Sequence, residues 1–172
     1  TALIAGLVCA GYYLTAKIGF AFALQPGSVS ILWLPNSILL AALLITPRRF
    51  WWIVILSAFP AHLAAEFQSG VPTAMVLSWF VSNSLQAVVG ALIICGLLDG
   101  QLLFDSFKHL AVFLAFGAFF APFLSSFLDI AFLKLNRWGP TSWEIWRARF
   151  LSNVLATLTL VPVIVTWADG GL

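Results

Sequence analysis

The chain has 172 residues, 62% of them hydrophobic and 8% charged, and its eight Lys and Arg against six Asp and Glu give a formal net charge of +2. With a mean hydropathy of +1.06 it has too few charges to cover a water-soluble domain, and it carries no basic stripe for nucleic acid. The composition is that of an integral membrane protein, and long apolar runs without period-two alternation favour helices over a barrel.

Each crossing needs roughly 20 apolar residues. The predicted spans are Ala2 to Leu24, Leu34 to Thr46, Phe50 to Phe67, Ala74 to Leu98, Leu110 to Leu133 and Phe150 to Trp167, a polytopic all-α bundle of about six transmembrane helices forming one domain, 1–172. Turn-forming clusters separate them: Gln25-Pro26-Gly27, Pro47-Arg48-Arg49, Gln68-Ser69-Gly70-Val71-Pro72, Asp99-Gly100 and Asn136-Arg137-Trp138-Gly139-Pro140. The second span is the shortest, because Pro35 leaves only about a dozen clean helical residues after it. Ser28 to Leu34 is expected to enter the membrane as irregular or helical chain. The first residue is Thr1, and no basic segment with a small-residue cleavage site precedes the first span, so the expectation is a module of a longer chain without a signal peptide.

Arg48 and Arg49 form the one paired basic element, and they place the second connection, with both termini, in the cytoplasm. By that parity Lys134, Arg137, Arg147 and Arg149, against Glu144, fall outside, which contradicts the simple rule. The segment TSWEIWRARF is therefore expected to be an interfacial helix whose tryptophans suit the headgroup region. Cys9 and Cys95 fall inside spans as small apolar-behaving thiols, and no disulfide is expected.

Function has to be read from polar residues inside the spans, where they are costly and usually face the bundle interior. His62 and Glu66, four apart, share one helix face near the outer end of the third span. They are placed to share a proton, hold a cation or accept an amine, or else they sit plainly at the water interface. Two such residues do not make a metal site, so none is expected. Asn36 and Ser37 follow Pro35, Asn83 and Gln86 lie three apart on the fourth span, and Asn153 lies on the sixth. Each amide alone reads as helix glue; together they are candidates for one pocket between helices. Asp129, deep in FLSSFLDIAFLKL, needs a partner or a proton; Lys17, Arg147 and Arg149 are the candidate partners, in an ion pair that fixes packing or in a ligand or proton role. His109, beside Lys108, reads as a solvated loop residue, and Pro60, Pro122 and Pro162 as tolerated prolines or bend points. No catalytic motif is found.

The run WLPNSILLAALLITPRRFWW followed by ILSAFPAHLAAE resembles the membrane-associated sensor domain of type one. So do WFVSNSLQAVVGALIICGLL, with Asn83 and Gln86, and WEIWRARFLSNVLATLTLVPVIVTW, with Pro162. The chain departs from that family where Gly-Asp is often found and Ser152-Asn153 stands here, and family domains are commonly longer. The resemblance implies a bacterial inner-membrane input module without chemistry of its own, joined to a cytoplasmic histidine kinase or diguanylate cyclase and working as a homodimer. Its pocket candidates are Asn36, His62, Glu66, Asn83, Gln86, Asp129 and Asn153, with Trp33 and Trp51 as aromatic walls or interface anchors; the ligand and any cofactor are not named by the sequence. Two other classes fit the same residues. One is a substrate-binding subunit of an uptake system. The other is an accessory subunit of a large membrane complex with His62 or His109 on a pigment or haem.

Overall fold

A computed structural model describes residues 2–24, 29–98 and 104–171. The expected turns at Gln25-Pro26-Gly27 and Asp99-Gly100, and Ser28, lie outside the described residues. Helix α1 runs Ala2–Ala21, α2 Pro35–Ile45, α3 Trp51–Gln68 after a 3-10 turn at Arg48–Phe50, and α4 Thr73–Leu97. Then α5 (Phe107–Val112), a π-helical stretch (Phe113–Phe120) and α6 (Ala121–Leu135) form one continuous rod, and α7 spans Trp143–Gly171. A two-residue antiparallel ladder, β1 (Ala23–Leu24) with β2 (Val29–Ser30), pairs Ala23 with Ser30.

Among the described residues five helices are long and apolar enough to cross a membrane, and α2 is not one of them. Its eleven residues rise only about 16 Å, half of a hydrocarbon core of about 30 Å. Direction of travel shows what α2 does. Tyr12 meets His62 while Tyr13 and Lys17 meet Gln68, so α1 and α3 run parallel. The chain between them returns across the bundle through residues 29–45. Pro35 at the first helical position presets the backbone for α2, and Asn36 lies level with Gln86 in the middle of α4. The stretch before it is therefore irregular backbone at membrane depth, allowed where protein buries it. Ser30 Oγ donates to Gly19 O at 2.8 Å and Ser152 Oγ accepts from Trp33 N at 2.8 Å, so this stretch is satisfied by α1 and α7.

Because α2 is surrounded by α1, α3, α4 and α7, its residues from Leu39 to Leu44 are all buried. They form the apolar core with Val54, Ala58, Ala87, Ala91, Ile94, Phe113, Val161 and Val165. The π-helical stretch ends two residues before Pro122, which has no N–H and whose ring crowds the carbonyl four residues back. The backbone widens there, with Ala121 N bonding Phe116 O.

Two expectations are corrected. The segment TSWEIWRARF is not a separate interfacial helix: from Trp143 it is the start of α7, capped by Ser142, because Arg149 turns inward to a buried partner. His109 is not in a loop; it lies in α5, within 2.8 Å of Asp105 one turn earlier.

Candidate functional site

Three polar groupings occupy the half of the bundle that lies away from the Arg48-Arg49 turn. The first joins four helices at mid-depth. Asn36 Nδ2 donates to Gln86 Oε1 at 2.9 Å and to Asn153 Oδ1 at 3.0 Å, and Ser125 Oγ donates to Gln86 Oε1 at 2.6 Å. Asn36 Oδ1 is left without a partner.

The second grouping is a chain across α4, α1 and α3. His62 Nε2 lies 2.8 Å from Val76 O, and a carbonyl only accepts, so Nε2 carries the hydrogen and, in the neutral ring, Nδ1 is the acceptor. Tyr12 OH, 3.0 Å from Nδ1, therefore donates to it and accepts from Asn83 Nδ2 at 3.1 Å. Every donor direction along this chain is thereby set. Glu66 Oε1 is 3.8 Å from His62 Nδ1, and neither carboxyl oxygen of Glu66 has a hydrogen-bond partner. Both residues are 0% exposed.

The third is an ion pair between α6 and α7, Arg149 Nη1 to Asp129 Oδ2 at 3.5 Å. The guanidinium also lies over the Trp79 ring, 4.8 Å from its centroid. Asp129 Oδ1 and Arg149 Nε have no partner.

The three groupings meet at a cavity of about 30 Å³, room for about two waters. Its apolar walls are Phe20, Trp33 and Trp79, and its polar lining includes Asn83, Asp129, Arg149 and Asn153. Trp33 lies flat against α1 because residue 19 is glycine: a Cβ there would meet the indole at 2.9 Å. Asn83 belongs both to the cavity and to the Tyr12–His62 chain. Asn153 belongs both to the cavity and to the mid-depth amide group. The arrangement offers oriented donors, acceptors and aromatic faces for binding; among the described residues no group of three or more His, Cys, Asp or Glu is placed to hold a metal ion.

The family model MASE1 matches residues 4–172, essentially the whole chain. The chain belongs to the MASE1 family. It is a multi-pass membrane protein in a membrane-associated sensory role, as its resemblance implied. No curated protein and no solved structure matches it.

Within this MASE1 domain the polar residues singled out in the sequence take three positions. Asn83, Asp129, Asn153 and Trp33 line the cavity, while Asn36 and Gln86 stand behind Asn153. His62 and Glu66 stand behind Asn83 and Tyr12. They are not at the water interface, because α1 and α4 cover the last turns of α3. Both His62 nitrogens are engaged by protein groups, which leaves neither to ligate a pigment or haem. Trp51 is no wall of the cavity. It lies at the opposite end, where its indole N–H reaches Leu43 O and Thr46 O, both at 2.9 Å, and closes the C-terminal end of α2. Arg48 and Arg49 are exposed beside it. Of the three cations considered for Asp129 the partner is Arg149; Lys17 reaches Gln68 instead.

Sequence reading missed Tyr12, Phe20, Ser30, Trp79 and Ser152. Tyr12 carried one signal, being one of two tyrosines in the chain and placed inside an apolar span. Phe20 and Trp79 carried none, because apolar walls look like any core residue, and single serines such as Ser30 and Ser152 commonly serve only to bond nearby backbone.

Proposed function

We propose that this MASE1 domain senses a small polar ligand in the cavity between α1, α4, α6 and α7 and passes the result to a cytoplasmic output domain through α7. One observation carries the reading: a pocket at the outer end of the bundle in which two buried polar networks and an ion pair share lining residues. A purely structural bundle has no reason to gather orphaned Asp129 and Arg149 atoms around free space. The residues proposed to act are Asn83, Asp129, Arg149 and Asn153 at the ligand, with Asn36, Gln86, Tyr12, His62 and Glu66 behind them.

In this reading the chain crosses six times as a single domain, α2 completing its crossing with the irregular stretch before Pro35. The parallel course of α1 and α3 supports that count. The Arg48-Arg49 turn lies on the cytoplasmic face of a bacterial inner membrane and the cavity opens toward the other side. Arg149, half-buried and paired with Asp129, no longer counts among the loop cations of the outer side. Helix α7 carries Arg149, Ser152 and Asn153 past the cavity and then continues without a break to the basic-turn end. A ligand that prefers one of two packings of α7 against α2 and α6 shifts the population between them. The output is a histidine kinase or a diguanylate cyclase, active as a homodimer.

The test is a fusion of residues 1–172 to a diguanylate cyclase, with cyclase output followed across growth media. Asn83→Leu and Asp129→Asn are expected to hold output at one level in every medium, whereas Leu85→Ala, on an exposed face of α4, is expected to respond as the parent does. Parent-like responses from both cavity variants would sink the reading. Cysteine labelling checks the orientation: Arg49→Cys is expected to react only from the cytoplasmic side, and Gly139→Cys only from outside.

A further inference from the structure

The pair that lines the cavity is incomplete in a complementary way. Arg149 and Asp129 touch through one contact of 3.5 Å, longer than the 2.7–2.9 Å of a well-formed charge-assisted bond and without the second arm of a fork. Asp129 is 4% exposed, yet its Oδ1 takes no hydrogen bond, and Arg149 Nε gives none. One atom lacks a donor and the other lacks an acceptor, and both residues line the same free space.

The formal charges of the lining sum to zero, one carboxylate and one guanidinium. An ammonium ion alone would satisfy Asp129 and leave Arg149 weakly held. A carboxylate alone would do the reverse, and either would bring an uncompensated charge into a buried site. A molecule carrying both charges satisfies both orphaned atoms and keeps the site neutral. Trp33 in the lining suits the carbon atoms of the ligand, while the Trp79 ring already carries the Arg149 guanidinium and holds it at the site. The free space, about 30 Å³, limits the ligand to roughly the bulk of two waters, about 60 Å³ of liquid volume, which is the scale of the smallest amino acids.

We propose that the ligand of this pocket is a compact zwitterion, its ammonium group on Asp129 and its carboxylate on Arg149. The inference rests on the pocket reading above and adds the chemical class. In the bound state the two side chains exchange a weak mutual contact for two stronger ones, and Asn83 and Asn153 take the remaining hydrogen bonds of the ligand.

The experiment is a titration of the whole chain in lipid nanodiscs, read by tryptophan emission, with glycine and β-alanine set against their half-molecules methylammonium and acetate. Saturable emission changes are expected with the two zwitterions, and at least tenfold weaker binding with each half. Asp129→Asn/Arg149→Gln, which removes both charges at nearly constant shape, is expected to melt with the parent and to lose at least tenfold in glycine affinity. Acetate or methylammonium binding as tightly as glycine overturns the zwitterion and leaves a pocket for a singly charged ligand. No response to glycine or β-alanine also overturns it, while the cyclase fusion decides separately whether a pocket operates at all.

Discussion

The two halves of this bundle are held together by different chemistry. Toward the Arg48-Arg49 end, α2 presents Leu39, Leu40, Leu43 and Leu44 to alanines and valines of α3, α4 and α7, and contact is mainly by packing, with the Trp51 indole N–H on Leu43 O and Thr46 O at the end of α2. Toward the other end the same helices present Asn36, Asn83, Gln86, Asp129, Arg149 and Asn153, and the contacts are hydrogen bonds around a cavity. In lipid a hydrophobic driving force between helices is absent, so close packing has to fix the first half. Polar bonds average only about 0.6 kcal/mol each in membranes. The cavity half therefore gains little stability from its bonds. In the proposed sensing role, α2, α4 and α7 join a half fixed by packing to a half held by weaker polar bonds.

The largest effect is expected at the charge pair of Arg149 and Asp129. Arg149→Met leaves Asp129 uncompensated and is expected to destabilise the domain by about 3–5 kcal/mol. Asp129→Asn/Arg149→Gln is expected to cost far less, since no charge is stranded. Melting in detergent measures both, and equal losses would mean that Arg149 acts by packing against Trp79. In the other half Leu43→Ala is expected to cost about 2–5 kcal/mol through the cavity it opens under a fully buried side chain. Cyclase output in the fusion is expected to remain ligand-responsive wherever the variant stays folded. A response lost before stability would refute the division of labour.

How far this division was readable in the sequence depended on how local its causes are. Span positions were legible because a crossing needs a long apolar run, and α1, α3 and α4 fall close to their expected places. The depth of α2 was not, since only the pairing of Asn36 with Gln86 and Asn153 shows that it starts at mid-membrane. Arg149 was legible only as one of three candidate partners for Asp129, and the structure picks it out. Beside Arg147, Glu144 and two tryptophans it reads as an interfacial charge, and its partner Asp129 lies 20 residues back on another helix. Glu66 sits two residues from the end of α3, where water is the default surrounding, and only α1 and α4 exclude it. Polar residues in apolar spans were visible as costs to be explained; which of them meet was a tertiary fact.

A smaller effect sharpens the contrast in the packed half. Gly117, on the π-helical stretch, lies against Ile94, and a Cβ there would come within 2.9 Å of Ile94 Cδ1 and 3.1 Å of Phe113. Gly117→Val is expected to cost about 1–3 kcal/mol as overpacking. Ile94→Val in the same background frees the end of that side chain and is expected to recover part of the loss. An unchanged loss in the double variant would place the strain in the π-helical backbone instead.

A stability effect smaller than that of Gly117→Val is expected at Tyr12, and there the two halves are told apart most clearly. Tyr12→Phe keeps the ring that packs edge-on against His62 at 5.8 Å and removes only the hydroxyl that joins Asn83 to His62. Two bonds are lost, for about 1 kcal/mol at the membrane average. Yet this hydroxyl is the link between a cavity residue on α4 and the buried His62 and Glu66 of α3, so the fused cyclase is expected to lose most of its response while melting almost as the parent does. Tyr12→Leu, which also removes the ring, adds a packing loss without adding to the signalling defect. A parent-like response in Tyr12→Phe would assign the chain through Tyr12 to holding α1, α3 and α4 together, and would confine sensing to the cavity and α7.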